Sequence, residues 1–183
     1  MRNLLANFFI ISGIILLLVS TYFFWQRNNP NRLAFKNSEK VVLSGNEQNE
    51  ISKPITLVIE DLGIYLPVIP AANNNGRWAT TTDGVSYLSS SVVPGETGNS
   101  IFYGHNYKNI LGNLRKAEVG QTVKVVFDNG TEKYFKVKYI QTVTPDQIDI
   151  LANSDDKRIT IYTCSGFLDT KRFVVTAILE NTE

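Results

Sequence analysis

The chain has only one cysteine, Cys164, and one histidine, His105, in 183 residues. A lone cysteine excludes an intramolecular disulfide, and a lone histidine excludes a multi-histidine metal site. Neither sign of charge dominates. Lys and Arg number 18 against 17 Asp and Glu, for a net charge of +1. That balance gives no electrostatic footprint for nucleic acid or strongly anionic partners. There is no internal repeat, and no low-complexity tract beyond an Asn-rich stretch early in the chain. Between Leu4 and Trp25 there is no charged residue at all.

That uncharged run is the first positive signal. Most of its side chains are Leu, Ile, Phe or Val. About 22 residues make roughly 33 Å of helix, against a hydrocarbon core of about 30 Å. The cluster Tyr22, Phe23, Phe24 and Trp25 closes the run, as aromatic residues do at a membrane interface. The run exceeds the roughly 7–15 residues of a signal-peptide core, and no small-x-small cleavage site follows it. The expectation is therefore a short tail over 1–3 and an uncleaved transmembrane anchor over 4–25. Charge counting alone places the C-terminal side in the cytoplasm. Arg2 precedes the span, whereas Arg27, Arg32, Lys36 and Lys40 follow it.

Residues 26–53 read as a polar stalk, rich in Asn with Lys, Ser, Gln and Glu and lacking a sustained period. From residue 54 to 183 the texture is that of one β domain. Apolar, β-branched runs recur at 55–59, 63–69, 100–103, 122–127, 131–143, 159–163 and 172–179. Asp128-Asn129-Gly130 between two of them is a strong hairpin signal. Asn73 to Gly76 form a polar loop leading to Trp78, and short helices fit near 108–117 and 145–152. About eight strands at this spacing predict an all-β fold, a closed or nearly closed barrel or else a sandwich, large enough to fold without disulfides.

His105 and Cys164 each follow a buried-strand pattern and precede a turn. His105 lies in Ile101-Phe102-Tyr103-Gly104-His105-Asn106, where Gly104 permits a backbone turn that a β-carbon would hinder. Cys164 lies in Ile159-Thr160-Ile161-Tyr162-Thr163-Cys164-Ser165-Gly166. The chain loops out and returns at Arg172, which brings guanidinium and thiol to one end of a sheet if the flanking strands are neighbours. Thiol, imidazole and guanidinium are the parts of a nucleophile, a proton carrier and an oxyanion partner for acyl transfer. The plainer readings are a small buried hydrophobe for Cys164, a structural turn residue for His105 and a solvated strand-start residue for Arg172. Ser165 reads as a turn residue.

At this point the sequence resembles the sortases, membrane-anchored cysteine transpeptidases of bacterial surfaces. The resemblance rests on Gly104-His105-Asn106, Ile161-Tyr162-Thr163-Cys164 and Arg172, in that order. Further matches are Leu62-Gly63-Ile64 with Pro67-Val68, Pro94-Gly95 with Gly98-Asn99, and Leu111-Gly112-Asn113-Leu114. It covers about residues 54–180, and the anchor and stalk fit as well. Tyr162 departs from the family pattern. Residues 26–54 lack the Asp-Pro-aromatic motif of lid-bearing, pilin-polymerising members, which points toward class D/E-like or housekeeping sortases.

The resemblance implies a sortase-like barrel of roughly eight strands. In it Cys164 attacks a Leu-Pro-x-Thr-Gly-like sorting signal, His105 moves the proton and Arg172 holds the carbonyl oxygen or the substrate backbone. A thioacyl intermediate is then passed to an amine acceptor of the cell envelope. Asn106 is a weak candidate to orient His105. Thr163 shapes the pocket, and Ile148, Ile150 and Leu151 line a groove for the substrate's Leu and Pro; the alternative for these three is a small helix capping the barrel. No cofactor is implied. Calcium stimulation, known in some members, would draw on Glu118, Asp146, Asp149, Asp155 and Asp156, which have no EF-hand spacing and read as surface charge. The expected partners are the sorting signal, the amine acceptor and membrane lipid, with no nucleic acid. Substrate access requires the barrel outside the cytoplasm, against the charge count. A tethered peptide-binding barrel without turnover and a purely hydrolytic thiol peptidase are the alternatives.

Overall fold

The computed structural model describes residues 2–27, 33–36, 52–74 and 77–180. The expected stalk falls mostly on residues outside this set, as do Asn75 and Gly76 of the expected polar loop. The chain divides into two units, residues 1–32 and 33–183.

The first unit is helix α1 (Arg2–Arg27). Its section Leu5–Trp25, 21 residues, is long and apolar enough to cross a bilayer. Apolar side chains occupy every face of it, so no polar stripe faces water. The Thr21 hydroxyl is satisfied inside the helix by donating to Leu17 O at 2.8 Å.

The second unit is a barrel. Its strands are β1 (Pro54–Ile59), β2 (Ile64–Ala71), β5 (Val85–Leu88), β6 (Gly98–Gly104), β7 (Thr122–Phe127), β8 (Glu132–Val143), β9 (Lys157–Ser165) and β10 (Lys171–Leu179). The order β1-β2-β5-β6-β9-β10-β8-β7 closes on itself, which excludes the sandwich. A short pair, β3 (Asn73–Asn74) with β4 (Arg77–Trp78), stands apart. The β7–β8 turn forms as Asp128-Asn129-Gly130 dictates. Gly130 adopts φ +81°, and Asn129 Oδ1 accepts from the Thr131 amide at 3.0 Å. The two expected helices are short 3-10 turns, Gly112–Lys116 and Ile148–Leu151. Strand β5 escapes the sequence pattern: its four residues, Val-Ser-Tyr-Leu, form no apolar, β-branched run.

Side chains alternate across each strand, and here both faces are buried at β6, β9 and β10. One face looks into the barrel, where Phe102, Ile159, Ile161, Val175 and Ala177 join the main core. The other carries Ile101, Tyr103, Tyr162, Cys164 and Val174 in a second apolar cluster outside the barrel. The second cluster is completed by Leu33, Phe35, Trp78 and Leu151 from the segments laid over it. Residues 33–36 of the expected stalk thus belong to the folded domain, and so does Lys53, whose amide donates to Asp128 Oδ1 at 3.0 Å.

Candidate functional site

The site follows from strand direction. Strands β6 and β9 are parallel neighbours, so both end at the same rim, and β10 runs back antiparallel to β9 and begins there. Arg172 is the register partner of Cys164. The last β6–β9 pair is Gly104↔Thr163, so one step further His105 comes level with Cys164. Three adjacent strands therefore present imidazole, thiol and guanidinium in one row.

All three are nearly closed off from solvent: Cys164 is 1% exposed, Arg172 3% and His105 9%. The His105 ring stacks on Tyr107 with centroids 4.9 Å apart, and its carbonyl accepts from the Leu111 amide at 3.1 Å. The turn after His105 thus folds back beneath it. Gly104 accommodates the turn through space rather than through φ. It has no left-handed φ; a Cβ there would meet Ile110 Cγ2 at 3.1 Å and Leu111 Cδ1 at 3.2 Å. The glycine gives that turn room to approach.

The loop from β9 to β10 is tight. Gly166, Leu168 and Asp169 have φ of 78°, 51° and 57°, a region that costs side-chain-bearing residues energy. Asp169 joins the two halves of the site. Its Oδ1 accepts from Asn106 Nδ2 at 3.0 Å, and its backbone carbonyl accepts from Arg172 Nη1 at 2.9 Å. Asn106 therefore reaches across to Asp169.

Among the residues expected to touch substrate, Leu151 is fully buried in the cluster that holds Cys164, and Ile148 and Ile150 pack against it. Their turn is tied to the barrel by Asn99, whose Nδ2 donates to Ile150 O at 3.0 Å and Ala152 O at 3.1 Å. Thr163 lies on the face of β9 opposite Cys164, where its hydroxyl donates to Gly104 O at 2.8 Å and fixes the strand end that carries His105.

Sequence reading missed the cover over this face. The segment Leu33–Lys36, here termed the strap, lies across it with Leu33 and Phe35 buried. Arg172 Nη2 donates to Ala34 O at 3.1 Å, and the Lys36 amide donates to Pro145 O at 2.7 Å. The Phe35 ring meets Tyr162 edge-on at 5.0 Å and lies 5.9 Å from the Arg172 guanidinium carbon. The only local signal is the alternation Leu33-x-Phe35 within a polar stretch. Beneath the strap, Tyr162 stacks on Tyr103 at 5.5 Å, and Trp78 lies 6.4 Å from Tyr162. Burial pushes both phenols above their ordinary pKa, so both stay protonated.

Among the described residues no group of three or more His, Cys, Asp or Glu is placed to hold a metal ion. Both Asp156 carboxylate oxygens are engaged by Arg158, at 2.5 and 2.6 Å, which holds that carboxyl below its usual pKa.

A model of the sortase domain family matches residues 57–180, and the chain belongs to that family, whose members are cysteine transpeptidases. Among solved structures, Listeria monocytogenes sortase A is 24% identical with a TM-score of 0.59, over 71% of this chain and 89% of that one. Actinomyces oris sortase C-1 is 22% identical with a TM-score of 0.61, over 73% and 77%. A Clostridium perfringens sortase D5 transpeptidase is 23% identical with a TM-score of 0.59, over 70% and 80%. At these identities the likeness is one of fold. Comparison with curated proteins found no match.

Proposed function

We propose that this sortase-family chain cleaves a Leu-Pro-x-Thr-Gly-like sorting signal through a thioacyl-enzyme and joins the peptide to an amine of the cell envelope. The observation that carries this reading is the row His105, Cys164, Arg172 at one rim of three adjacent strands. The Cys164 thiolate adds to the carbonyl carbon between Thr and Gly, placing negative charge on the oxygen. Arg172 stabilises that charge, as its present hold on the Ala34 carbonyl illustrates. The C–N bond breaks as His105 protonates the leaving amine, and a thioester to Cys164 remains. An incoming amine attacks the thioester, gives its proton to His105 and releases the thiolate. Helix α1 is consistent with a single-pass anchor. Sorting signals arrive on secreted proteins, so the reading places the barrel outside the cytoplasm.

The test is incubation of the domain from Leu33 onward with Leu-Pro-x-Thr-Gly peptides and a glycine-based amine, alongside Cys164→Ala, with products read by mass. A Cys164-dependent peptide–amine product establishes transfer. Cleaved acid alone, across several amines, identifies a hydrolase. Tight binding without turnover identifies a peptide-binding barrel.

A further inference from the structure

Three buried tyrosines line β5, β6 and β9, and two of them are satisfied. The Tyr87 hydroxyl donates to Ser91 O at 3.3 Å and Val92 O at 3.0 Å; that of Tyr103 donates to Ala79 O at 2.5 Å. The third differs. Among the described residues the Tyr162 hydroxyl has no hydrogen-bond partner, and neither does the indole Nε1 of Trp78 beside it. Tyr162 is 0% exposed and Trp78 4%, so water does not serve them from bulk solvent. Buried polar groups are nearly always bonded, and leaving one unmade is destabilising.

Their cover is an apolar one. The strap lays the Phe35 ring edge-on against Tyr162 and directs its main-chain groups elsewhere, to Arg172 and Pro145. Tyr162 lies on the same face of β9 as Cys164, two residues back, which is about 7 Å along the strand. A peptide whose scissile carbonyl sits between Cys164 and Arg172 therefore lays a nearby residue over Tyr162 and Trp78. The indole can only donate, and the phenol donates or accepts, so the group that satisfies both includes an acceptor.

We propose that Tyr162 and Trp78 are specificity-determining residues that select a peptide carrying a hydrogen-bond acceptor one or two positions from the scissile bond. The strap covers Tyr162 until such a peptide displaces it. This rests on the peptide-transfer reading above. An apolar isostere leaves both groups unmade on binding, whereas an acceptor satisfies them, and that difference is the source of discrimination.

The test uses the full-length chain in detergent micelles, carrying Cys164→Ala so that binding is read without turnover. Peptides containing Leu-Pro-Asn-Thr-Gly, Leu-Pro-Leu-Thr-Gly and Leu-Pro-Asn-Val-Gly are compared by fluorescence anisotropy. One acceptor-to-apolar change is expected to weaken binding about tenfold. Tyr162→Phe combined with Trp78→Phe brings that ratio close to one. Phe35→Ala, which loosens the strap, tightens binding of the acceptor peptide. Tyr162→Phe alone leaves Tm unchanged or raises it, because it removes an unsatisfied buried hydroxyl. Survival of the ratio in the double variant overturns the proposal, and so does a Tm several degrees lower for Tyr162→Phe. Binding without discrimination removes this assignment alone; absence of any peptide binding removes the transfer reading with it.

Discussion

The guanidinium of Arg172 holds the main-chain carbonyl of Ala34 at 3.1 Å from a position directly across the β9–β10 ladder from Cys164. Two other carbonyls, of Asp169 and Lys171, accept from its second terminal nitrogen at 2.9 Å each. Those contacts around the β9–β10 loop fix the fork, and the strap carbonyl occupies its other terminal nitrogen. The same donor geometry suits a substrate carbonyl that is acquiring charge.

Arg172→Lys tests that role. An ammonium is a point charge without the planar fork, so it cannot span the same three carbonyls. The expected outcome is a fall in kcat/KM of about 10²–10³, read with the peptide–amine assay beside a thermal melt. A variant that folds and keeps near-native kcat/KM would leave Arg172 a structural strap anchor.

Phe35→Ala tests the cover. Cys164 is 1% exposed and shares its apolar cluster with Leu33 and Phe35. Truncating the aromatic anchor weakens strap docking by an amount comparable to other aromatic deletions, about 3 kcal/mol or more. Alkylation of Cys164 by iodoacetamide should then speed up at least about tenfold. An unchanged rate would show that other elements shield the thiol.

Asp169→Gly, which keeps the left-handed φ without strain, tests the link between the two loops. It removes the acceptor for Asn106 Nδ2 while leaving the backbone carbonyl that Arg172 uses. Loss of one partly buried hydrogen bond corresponds to about a fivefold effect. The expected pattern is lower kcat with little change in KM, restored by Asp169→Asn, whose side-chain oxygen still accepts. Failure of Asn to rescue would assign the effect to the carboxylate charge rather than to positioning.

Asp156 carries a pH signature. Its bond to Arg158 lowers the folded-state pKa, so the pair stabilises the domain above the unfolded-state value, about 3.9. That contribution is lost as pH falls through the folded-state value. Asp156→Asn should therefore lower Tm slightly at pH 7, and the gap from the native chain should close at strongly acid pH. The pair is a third exposed, so the gap is small. Because Arg158 occupies both carboxylate oxygens, millimolar Ca²⁺ is expected to leave the transfer rate unchanged.

Much of this was readable residue by residue. The run from Leu4 to Trp25 lies within helix α1, and the turn at Asp128-Asn129-Gly130 closes its hairpin. Strand positions follow from apolar, β-branched runs bounded by turn residues, which are local signals. Strand β5 is absent from the expected strands because its four residues, Val-Ser-Tyr-Leu, are too short and too mixed to form an apolar, β-branched run. The resemblance places Thr163 in the pocket, whereas strand alternation turns it to the opposite face and gives it the Gly104 carbonyl. At Gly104 the sequence predicts a turn that a Cβ would hinder, and the fold shows the crowding to come from the Ile110 and Leu111 side chains.

Local sequence is enough for a helix long and apolar enough to span a membrane, for the all-β domain and for the strand-end positions of His105, Cys164 and Arg172. Each of these depends on residues close together in the chain: hydrophobic length, alternation and turn chemistry. Only the tertiary structure decided that β6 and β9 are parallel neighbours, which brings His105 level with Cys164. It also decided that Ala34 meets Arg172, and that Phe35 and Trp78 close over Tyr162. Those contacts join segments far apart in sequence, and they form because the outer face of β6, β9 and β10 is apolar and must be covered. Local patterns show that such a face exists, but which distant segment covers it is set by the shape and hydrogen bonding of the whole domain.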